Sequence, residues 1–153
     1  MKISTKGRYA LRIVIDLSEH QGDKTYIAMK DIAQRQGLSL KYLEKILPQL
    51  VKGDIIEGVH GKGGGYKLLR KPAQYTVGEI LRLTEGELAP VTCLEADAET
   101  CPRREQCKTY KLWVGLYELI NNYFDSVTIA DLMDCSSVRT ELLSDGFEDF
   151  ARL

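Results

Sequence analysis

Two short amphipathic helices joined by a three-residue link most strongly limit the fold that this chain can adopt. The first is predicted over residues 29–36, and Gly37 is placed to end it. Ser39 is placed to cap the second. The apolar stripe that we expect the second helix to bury consists of Leu40, Leu43, Ile46, Leu47 and Leu50. A longer amphipathic helix is predicted over residues 5–20, and the three together are typical of a helix-turn-helix domain.

The polar face of the second short helix carries residue types that contact DNA. In a helix-turn-helix the second helix enters the major groove. Lys41 and Lys45 can neutralise phosphates or donate to guanine. Ser39 and Tyr42 can bond backbone oxygens, and Glu44 can accept from cytosine. Taken alone, the same pattern also fits an ordinary helical hairpin with a solvated charged face.

A predicted β-hairpin follows this helix and favours the DNA-binding interpretation. Residues 55–60 and 66–70 have the composition of strands, and the glycine-rich segment 61–65 lies between them. Such a wing can lie along phosphates or reach the minor groove. A nucleotide-binding loop is excluded because no Gly-Lys-Ser/Thr follows the glycines. The wing residues that we expect at the DNA are His60, Lys62, Gly63 and Gly64.

Charge is divided unevenly between the two halves of the 153-residue chain, although its net charge is only −1. Residues 1–75 contain 14 Lys and Arg against 7 Asp and Glu, a net charge of +7. Residues 76–153 contain 7 basic against 15 acidic residues, a net charge of −8. This division is expected when one half meets a polyanion and the other does not. With 44% apolar and 28% charged residues, the composition is that of a globular protein.

The acidic half contains all four cysteines, and three of them lie within fifteen residues of one another. Cys93, Cys101 and Cys107 are separated by seven and five residues. We expect neither a signal peptide nor a membrane-spanning segment, so a cytoplasmic location is the default and a disulfide framework is disfavoured. Three thiols on one loop therefore indicate a metal or redox site, without choosing between iron–sulfur, zinc and unliganded thiols.

The rest of the acidic half predicts a linker helix, a loop and a long helix. The linker helix is expected over 76–85, and the long helix from near Arg103 to about Asp125. The long helix carries a stripe of apolar and aromatic residues that needs a partner surface to cover it, which favours a twofold homodimer. A short helix is expected over 128–133. We predict a winged helix-turn-helix domain over 1–75, a linker, cysteine loop and dimerisation unit over 76–133, and a tail over 134–153.

Three stretches of this sequence carry a resemblance to a known family: Lys-Ile-Ser-Thr-Lys-Gly-Arg-Tyr-Ala at 2–10, Asp-Ile-Ala-Gln-Arg-Gln-Gly-Leu-Ser-Leu-Lys-Tyr-Leu-Glu at 31–44, and Gly-Lys-Gly-Gly-Gly-Tyr at 61–66. They resemble the Rrf-type winged-helix transcription regulators, and within them the iron–sulfur cluster regulators. The three-cysteine loop follows them in the same order, and the resemblance covers about residues 1–133. It implies a mainly α fold with a small hairpin, a dimer and binding to palindromic double-stranded DNA.

The resemblance also implies roles for individual residues. It implies a [2Fe–2S] cluster near the dimer interface, with Cys93, Cys101 and Cys107 as three of its ligands. It implies that Ser39, Lys41, Tyr42 and Glu44 face the DNA, with segment 61–65 as the wing tip.

The sequence departs from that family at the positions expected to supply a fourth ligand. Tyr110 stands where the cluster regulators have histidine, and Arg8 stands where the related nitric-oxide-sensing repressors have an aspartate. His60 replaces a wing arginine and could add pH sensitivity to DNA binding. The open candidates for the fourth ligand, besides solvent or a small thiol, are Cys135, Glu105, Glu95, Asp97 and Glu99.

The sequence therefore predicts a dimeric regulator, with repression as the main mode, that senses cluster or redox status. One alternative is a cluster-free member of the family, a cysteine-metabolism-type repressor or a thiol or zinc sensor. Another is a nitric-oxide-sensing repressor. An enzyme is disfavoured because the chain has no Cys-x-x-Cys, no histidine near the thiols and no cofactor motif.

Overall fold

The computed structural model describes residues 2–22 and 26–134, which form six helices and one β-hairpin. Helices α1 (Thr5–His20), α2 (Met29–Gln36) and α3 (Leu40–Lys52) come first. Strands β1 (Ile56–Val59) and β2 (Gly65–Leu68) follow. Helices α4 (Val77–Glu85), α5 (Tyr110–Ser126) and α6 (Ile129–Met133) complete the described part. The mainly α architecture with a small hairpin is confirmed.

Local sequence accounts for the boundaries of the first three helices. The Ser4 side chain accepts hydrogen bonds from the backbone N–H groups at the start of α1. Gly37 ends α2 in the left-handed conformation, with φ 64°, which glycine adopts without steric cost. Ser39 caps α3 by accepting from the N–H of Tyr42. The link between α2 and α3 is therefore as short as the sequence predicts.

The two strands form an antiparallel hairpin in which Ile56 pairs with Leu68 and Val59 with Gly65. A single bridge between Ile27 and Tyr66 joins the hairpin to the chain before α2. A Cβ at Gly65 would lie 2.2 Å from the Ile27 carbonyl oxygen, so only glycine permits this approach.

The main core lies between α1, α2, α3 and the hairpin, and α4 and α6 pack into it. Its fully buried side chains include Ile13, Leu17, Ile32, Leu43, Ile46, Leu47, Leu50, Ile55, Tyr75, Ile80 and Ile129. A smaller cluster joins α4 to the end of α5 through Val77, Leu81, Leu88 and Val127. Leu88 lies three residues beyond α4, so the chain leaving that helix is anchored.

The buried hydroxyl of Tyr75 ties the chain after the hairpin to the core. It donates to the Ile55 carbonyl at 2.8 Å and accepts from the Arg70 N–H at 2.6 Å. Burial raises the pKa of Tyr75, so the hydroxyl keeps its proton. The Arg70 guanidinium lies 4.2 Å from the centre of the Tyr75 ring. These contacts fix the root of the wing.

The long helix begins later than predicted. Residues 103–109 contain a short 3-10 turn, Arg104–Gln106, and Cys107 follows in an extended conformation. Residues 103–109 are mostly polar or charged, so the apolar stripe of the helix begins only after Tyr110. In residues 2–22 and 26–134, no helix is long and apolar enough to cross a membrane. Cys135 and most of the predicted tail lie outside the described residues.

Candidate DNA-binding surface and cysteine loop

The first turn of α3 presents a mixed polar and apolar surface to solvent. Ser39, Lys41, Glu44 and Lys45 are exposed, as expected for DNA-reading side chains. Leu40 was expected in the buried stripe, and this prediction is wrong, since the side chain is 46% exposed. Because Leu40 is the first residue of α3, it lies beyond the part of the stripe that the core covers.

Tyr42 is half-buried and packs against α1. Its ring meets the Tyr9 ring edge-to-face, with 5.6 Å between centroids and an angle of 81°. The Arg12 guanidinium lies 5.0 Å from the Tyr9 ring centre and donates to the side chain and backbone carbonyl of Gln36, each at 3.0 Å. Residues of α1 therefore hold both helices of the helix-turn-helix.

A buried acid adds a polar contact between α1 and α2 that sequence reasoning missed. The Asp16 side chain is 1% exposed and accepts two hydrogen bonds from Arg35, at 2.9 and 2.8 Å, and one from Gln36 at 2.9 Å. Burial raises the pKa of Asp16, but these hydrogen bonds and nearby cations more than offset it, so the pKa lies below its ordinary value. The signal in the sequence is a single acid within the apolar face of α1.

The wing tip places its cation and histidine in solvent. His60 and Lys62 are exposed, and the turn is closed by a hydrogen bond from the Gly64 N–H to the Gly61 carbonyl, at 3.0 Å. Gly61 and Gly63 have φ values of 99° and 80°, a region that side-chain-bearing residues rarely adopt. The hairpin therefore has the shape of a wing.

An ion pair stiffens the strands of the wing. Lys67 lies 2.7 Å from the Glu57 carboxylate, which also accepts from the Tyr26 hydroxyl at 2.9 Å. Hydrogen bonds from Lys67 first, and then from Tyr26, lower the pKa of Glu57.

The cysteine loop, residues 86–109, carries the three thiols with little burial. Cys93 and Cys107 are exposed, and Cys101 is half-buried. Cys101 and Cys107 line one shallow cavity together with Glu105 and Tyr110, whereas Cys93 does not line it. Among the described residues, no three His, Cys, Asp or Glu side chains converge in a group that could hold a metal.

Cys107 has the thiol chemistry expected of a ligand or a reactive group. Its sulfur lies 3.4 Å from the Thr109 hydroxyl. This hydrogen bond, aided by contacts with the backbone N–H groups of Thr109 and Tyr110, lowers the pKa of Cys107. The lowered pKa raises the fraction of thiolate, the form that binds soft metals, at a given pH.

Helix α5 has no buried residue, although it is rich in apolar side chains. Leu112 is 60% exposed, Leu119 53% and Leu116 38%. Tyr123 and Phe124, near its end, pack on the smaller core cluster. An unburied apolar helix of this length is a candidate protein–protein interface.

Comparison with known families decides the class of this protein. Residues 3–135 match the Rrf2 family model, whose description is iron-dependent transcriptional regulator. The chain belongs to the Rrf2 family.

Curated relatives of the chain agree with this assignment. It is 38% identical over 138 residues to protein rrf2 of Nitratidesulfovibrio vulgaris, covering 90% of this chain and 91% of that one. It is 33% identical to the HTH-type transcriptional regulator IscR of Aliivibrio salmonicida, covering 87% and 77% respectively. The named homologues are transcriptional regulators and not enzymes, so the chain is a DNA-binding transcriptional regulator of the Rrf2 family.

Solved structures of two Rrf2-family regulators have the same winged-helix fold. CymR, described as the global cysteine regulator of B. subtilis, has a TM-score of 0.70 and 35% identity, covering 88% of this chain and 97% of that one. IscR of T. potens has a TM-score of 0.67 and 33% identity, with coverages of 89% and 88%. The chain is therefore similar to these two structures to a comparable degree.

Proposed function

We propose that this chain is a homodimeric repressor whose binding to a palindromic operator depends on a [2Fe–2S] cluster carried by Cys93, Cys101 and Cys107. The observation that carries the proposal is the order of the structural elements along the chain. An exposed three-thiol loop lies between α4, which packs on the DNA-binding core, and the unburied helix α5. The thiols therefore lie between two elements, and the relative position of these elements determines how a dimer fits its operator. A cytoplasmic location follows from DNA as the partner.

The DNA contacts are assigned from exposure and position. The first turns of α3 enter the major groove, where Lys41, Glu44 and Lys45 reach base edges or phosphates. Ser39 and the half-buried Tyr42 bond backbone oxygens. The wing contacts the flanking phosphates through its tip, which consists of the exposed residues His60, Lys62 and Gly63 and the half-buried Gly64.

The dimer is assigned from the exposed face of α5. Leu112 and Leu119, each more than half exposed, lie seven residues apart and therefore on one side of the helix. Packing this face against the same face of a second copy buries it by twofold symmetry. The same symmetry presents two recognition helices to the two half-sites of a palindrome.

The donor chemistry of the loop fits an iron–sulfur cluster. Cys101 and Cys107 already share a cavity, and the lowered pKa of Cys107 favours the thiolate that iron binds. Cys93 has to move towards them for all three to ligate. Glu105 lines the same cavity and is our candidate for the fourth ligand. When bound, the cluster supplies a redox-sensitive centre whose loss changes the shape of the loop.

A second candidate function is cluster-free thiol sensing. Tyr110 lies at the family's histidine position, Arg8 lies at the aspartate position of the nitric-oxide-sensing repressors, and CymR is a relative of comparable similarity. In this case Cys107, exposed and with a lowered pKa, is the thiol that reacts first. This alternative keeps the DNA-binding surface and the dimer.

The deciding experiment is anaerobic purification followed by visible absorption and assay of iron and acid-labile sulfide per chain. The proposal predicts charge-transfer bands and about two iron and two sulfide per chain, as one [2Fe–2S] cluster requires. Cys101→Ala should abolish both, whereas Glu118→Ala, a change at an exposed acid of α5, should preserve them. A colourless protein that resists reconstitution with iron and sulfide would favour the cluster-free alternative.

Binding is then measured on duplexes selected from a randomised pool. A cluster-sensing repressor binds its selected palindrome with different affinity in the loaded and apo states. Equal affinity of the two states on every selected duplex would contradict the proposal.

A further inference from the structure

Two carboxylates on either side of one glycine connect the cysteine loop to the DNA-binding core. Glu85 is the last residue of α4, and Glu87 is the second residue of the cysteine loop. Gly86, between them, has φ 82° and ψ −148°, a conformation essentially restricted to glycine. The two side chains contact different parts of the molecule.

Glu85 completes the start of α1, 81 residues earlier in the chain. Its carboxylate accepts from the Ser4 hydroxyl at 2.6 Å and from the Ser4 N–H at 3.4 Å. Because the Ser4 hydroxyl proton points to Glu85, its oxygen is free to accept from the N–H groups of Lys6 and Gly7, at 3.1 and 3.4 Å. A negative charge at this position also suits the helix dipole.

The contact requires glycine on the helix side. A Cβ at Gly7 would lie 2.3 Å from the Glu85 Oε1 atom, so any larger residue would displace the carboxylate. Gly7 therefore leaves the space beside α1 that the Glu85 carboxylate occupies.

Glu87 holds the cysteine loop to the dimerisation helix. One carboxylate oxygen accepts from the Tyr117 hydroxyl of α5 at 2.8 Å, and the other accepts from the Ala96 N–H at 2.5 Å. The hydrogen bond with Glu87 raises the pKa of Tyr117, which keeps the donor protonated. Ala96 lies between Cys93 and Cys101, so a rearrangement of these thiols moves the N–H that Glu87 holds.

The start of α1 is in turn close to the recognition helix. Tyr9, two residues beyond Gly7, packs edge-to-face on Tyr42 of α3. Hydrogen bonds of Glu87 and Glu85, the backbone that joins these two residues through Gly86, and the ring contact of Tyr9 thus connect the cysteine loop to α3.

We propose that Glu85 and Glu87 are positioning residues that transmit the state of the cysteine loop to the recognition helix through the first turn of α1. The inference rests on the proposed function, since it specifies how the thiol loop regulates DNA binding. In this proposal, the coupling free energy between the cysteine loop and the recognition helix depends on hydrogen bonds of Glu85 and Glu87 that single substitutions remove.

The first test measures the mechanical link without any cluster. Amide hydrogen exchange of residues 6–8 is compared by NMR in apo wild type, Glu87→Ala and the matched control Glu118→Ala, a change at an exposed acid of α5. Glu87→Ala should accelerate exchange of these amides about threefold to tenfold, the range expected for losing one hydrogen bond. Glu118→Ala should leave it unchanged. Tyr117→Phe, which removes only a hydroxyl, should give a smaller acceleration and serves if Glu87→Ala folds poorly.

The second test measures the ratio of operator dissociation constants for apo and iron–sulfide-loaded protein. We expect at least a fivefold ratio in wild type and in Glu118→Ala, the lower end of usual couplings, and less than about twofold in Glu87→Ala.

The two tests separate failure of the link from failure of the proposed function. Unchanged exchange at residues 6–8 in both Glu87→Ala and Tyr117→Phe overturns the link, whatever the DNA ratios are. If exchange is accelerated but Glu87→Ala keeps the wild-type ratio of dissociation constants, the link is also overturned, because other contacts then carry the coupling. Accelerated exchange with a lost ratio supports it. Accelerated exchange together with a ratio of one in wild type supports the mechanical link and rejects cluster-dependent DNA binding.

Discussion

The Arg35 guanidinium donates two hydrogen bonds, 2.9 and 2.8 Å long, to an Asp16 carboxylate that is almost completely buried. Removing Arg35 leaves this charge without its main partner, and breaking a buried ion pair in this way typically costs about 3–5 kcal/mol. Because the Arg35 side chain is 31% exposed, we expect Arg35→Met to lower the free energy of unfolding by about 2–3 kcal/mol. Urea denaturation checks this, with Lys30→Met, an exposed cation of the same helix, as the control. Equal losses in the two variants would contradict it.

The same pair predicts how stability depends on pH. The pKa of Asp16 lies below its ordinary value of 3.8 in the folded protein, so the stabilisation is fully present above that value. It declines as the pH falls below 3.8 and is lost once the pH passes the folded pKa. The free energy of unfolding should therefore fall more steeply below about pH 4 in wild type than in Asp16→Asn. Parallel pH profiles for the two proteins would argue against a charged, bonded Asp16.

Leu40 should read the methyl group of a thymine. Recognition helices place their first residues at base edges, and apolar side chains contact the thymine C5-methyl in the major groove. On a selected operator, Leu40→Ala should weaken binding about threefold to fivefold, as expected for one lost methylene-sized contact. Replacing the contacted dT by dU should weaken wild type similarly and leave Leu40→Ala unaffected. Val51→Ala, a change at an exposed residue near the other end of α3, should behave as wild type on both duplexes.

Lys62 at the wing tip should act through a phosphate. Each neutralised phosphate contributes close to one unit to the slope of log K against log salt concentration. Lys62→Ala should lower the magnitude of that slope by about 1 and weaken all sequences equally. Lys111→Ala, at the start of α5, should leave the slope unchanged. A sequence-dependent loss for Lys62→Ala would indicate base contact instead.

The exposed face of α5 should form the dimer. Leu119, 53% exposed, lies at the centre of this face, so Leu119→Arg should place a charge in the interface and convert the protein to a species of 17.3 kDa. Glu118→Arg, a change at an exposed residue about 100° around the helix from Leu119, should leave a mass of twice that value. Light scattering after size-exclusion chromatography measures both. A wild-type protein that is already monomeric would reject this interface.

Much of the DNA-binding half could be predicted because its signals are local. Period-3.6 apolar residues, the caps at Ser4 and Ser39, and Gly37 specify α1, α2 and α3 without reference to the rest of the chain. The hairpin followed from the same kind of signal, strand-forming residues around a run of glycines.

The contacts that connect these elements could not be predicted, because they depend on which faces meet. Asp16 meets Arg35 across two helices, and Glu85 meets Ser4 from the far end of α4. The exposure of Leu40 depends equally on where the neighbouring helices stop. The roles of Cys93, Cys101 and Cys107 stay predictions, since ligation depends on a loop arrangement that local spacing does not determine.

The contact of Glu85 with the start of α1 has a consequence for how the protein folds during its synthesis. When residues 1–75 have left the ribosome, the Ser4 hydroxyl still lacks the Glu85 carboxylate that accepts its hydrogen bond. The main core also still lacks Ile80 and Ile129. The nascent segment therefore exposes apolar surface until α4 and α6 emerge. The complete core therefore forms only after the cysteine loop and α6, which follows it, have been translated.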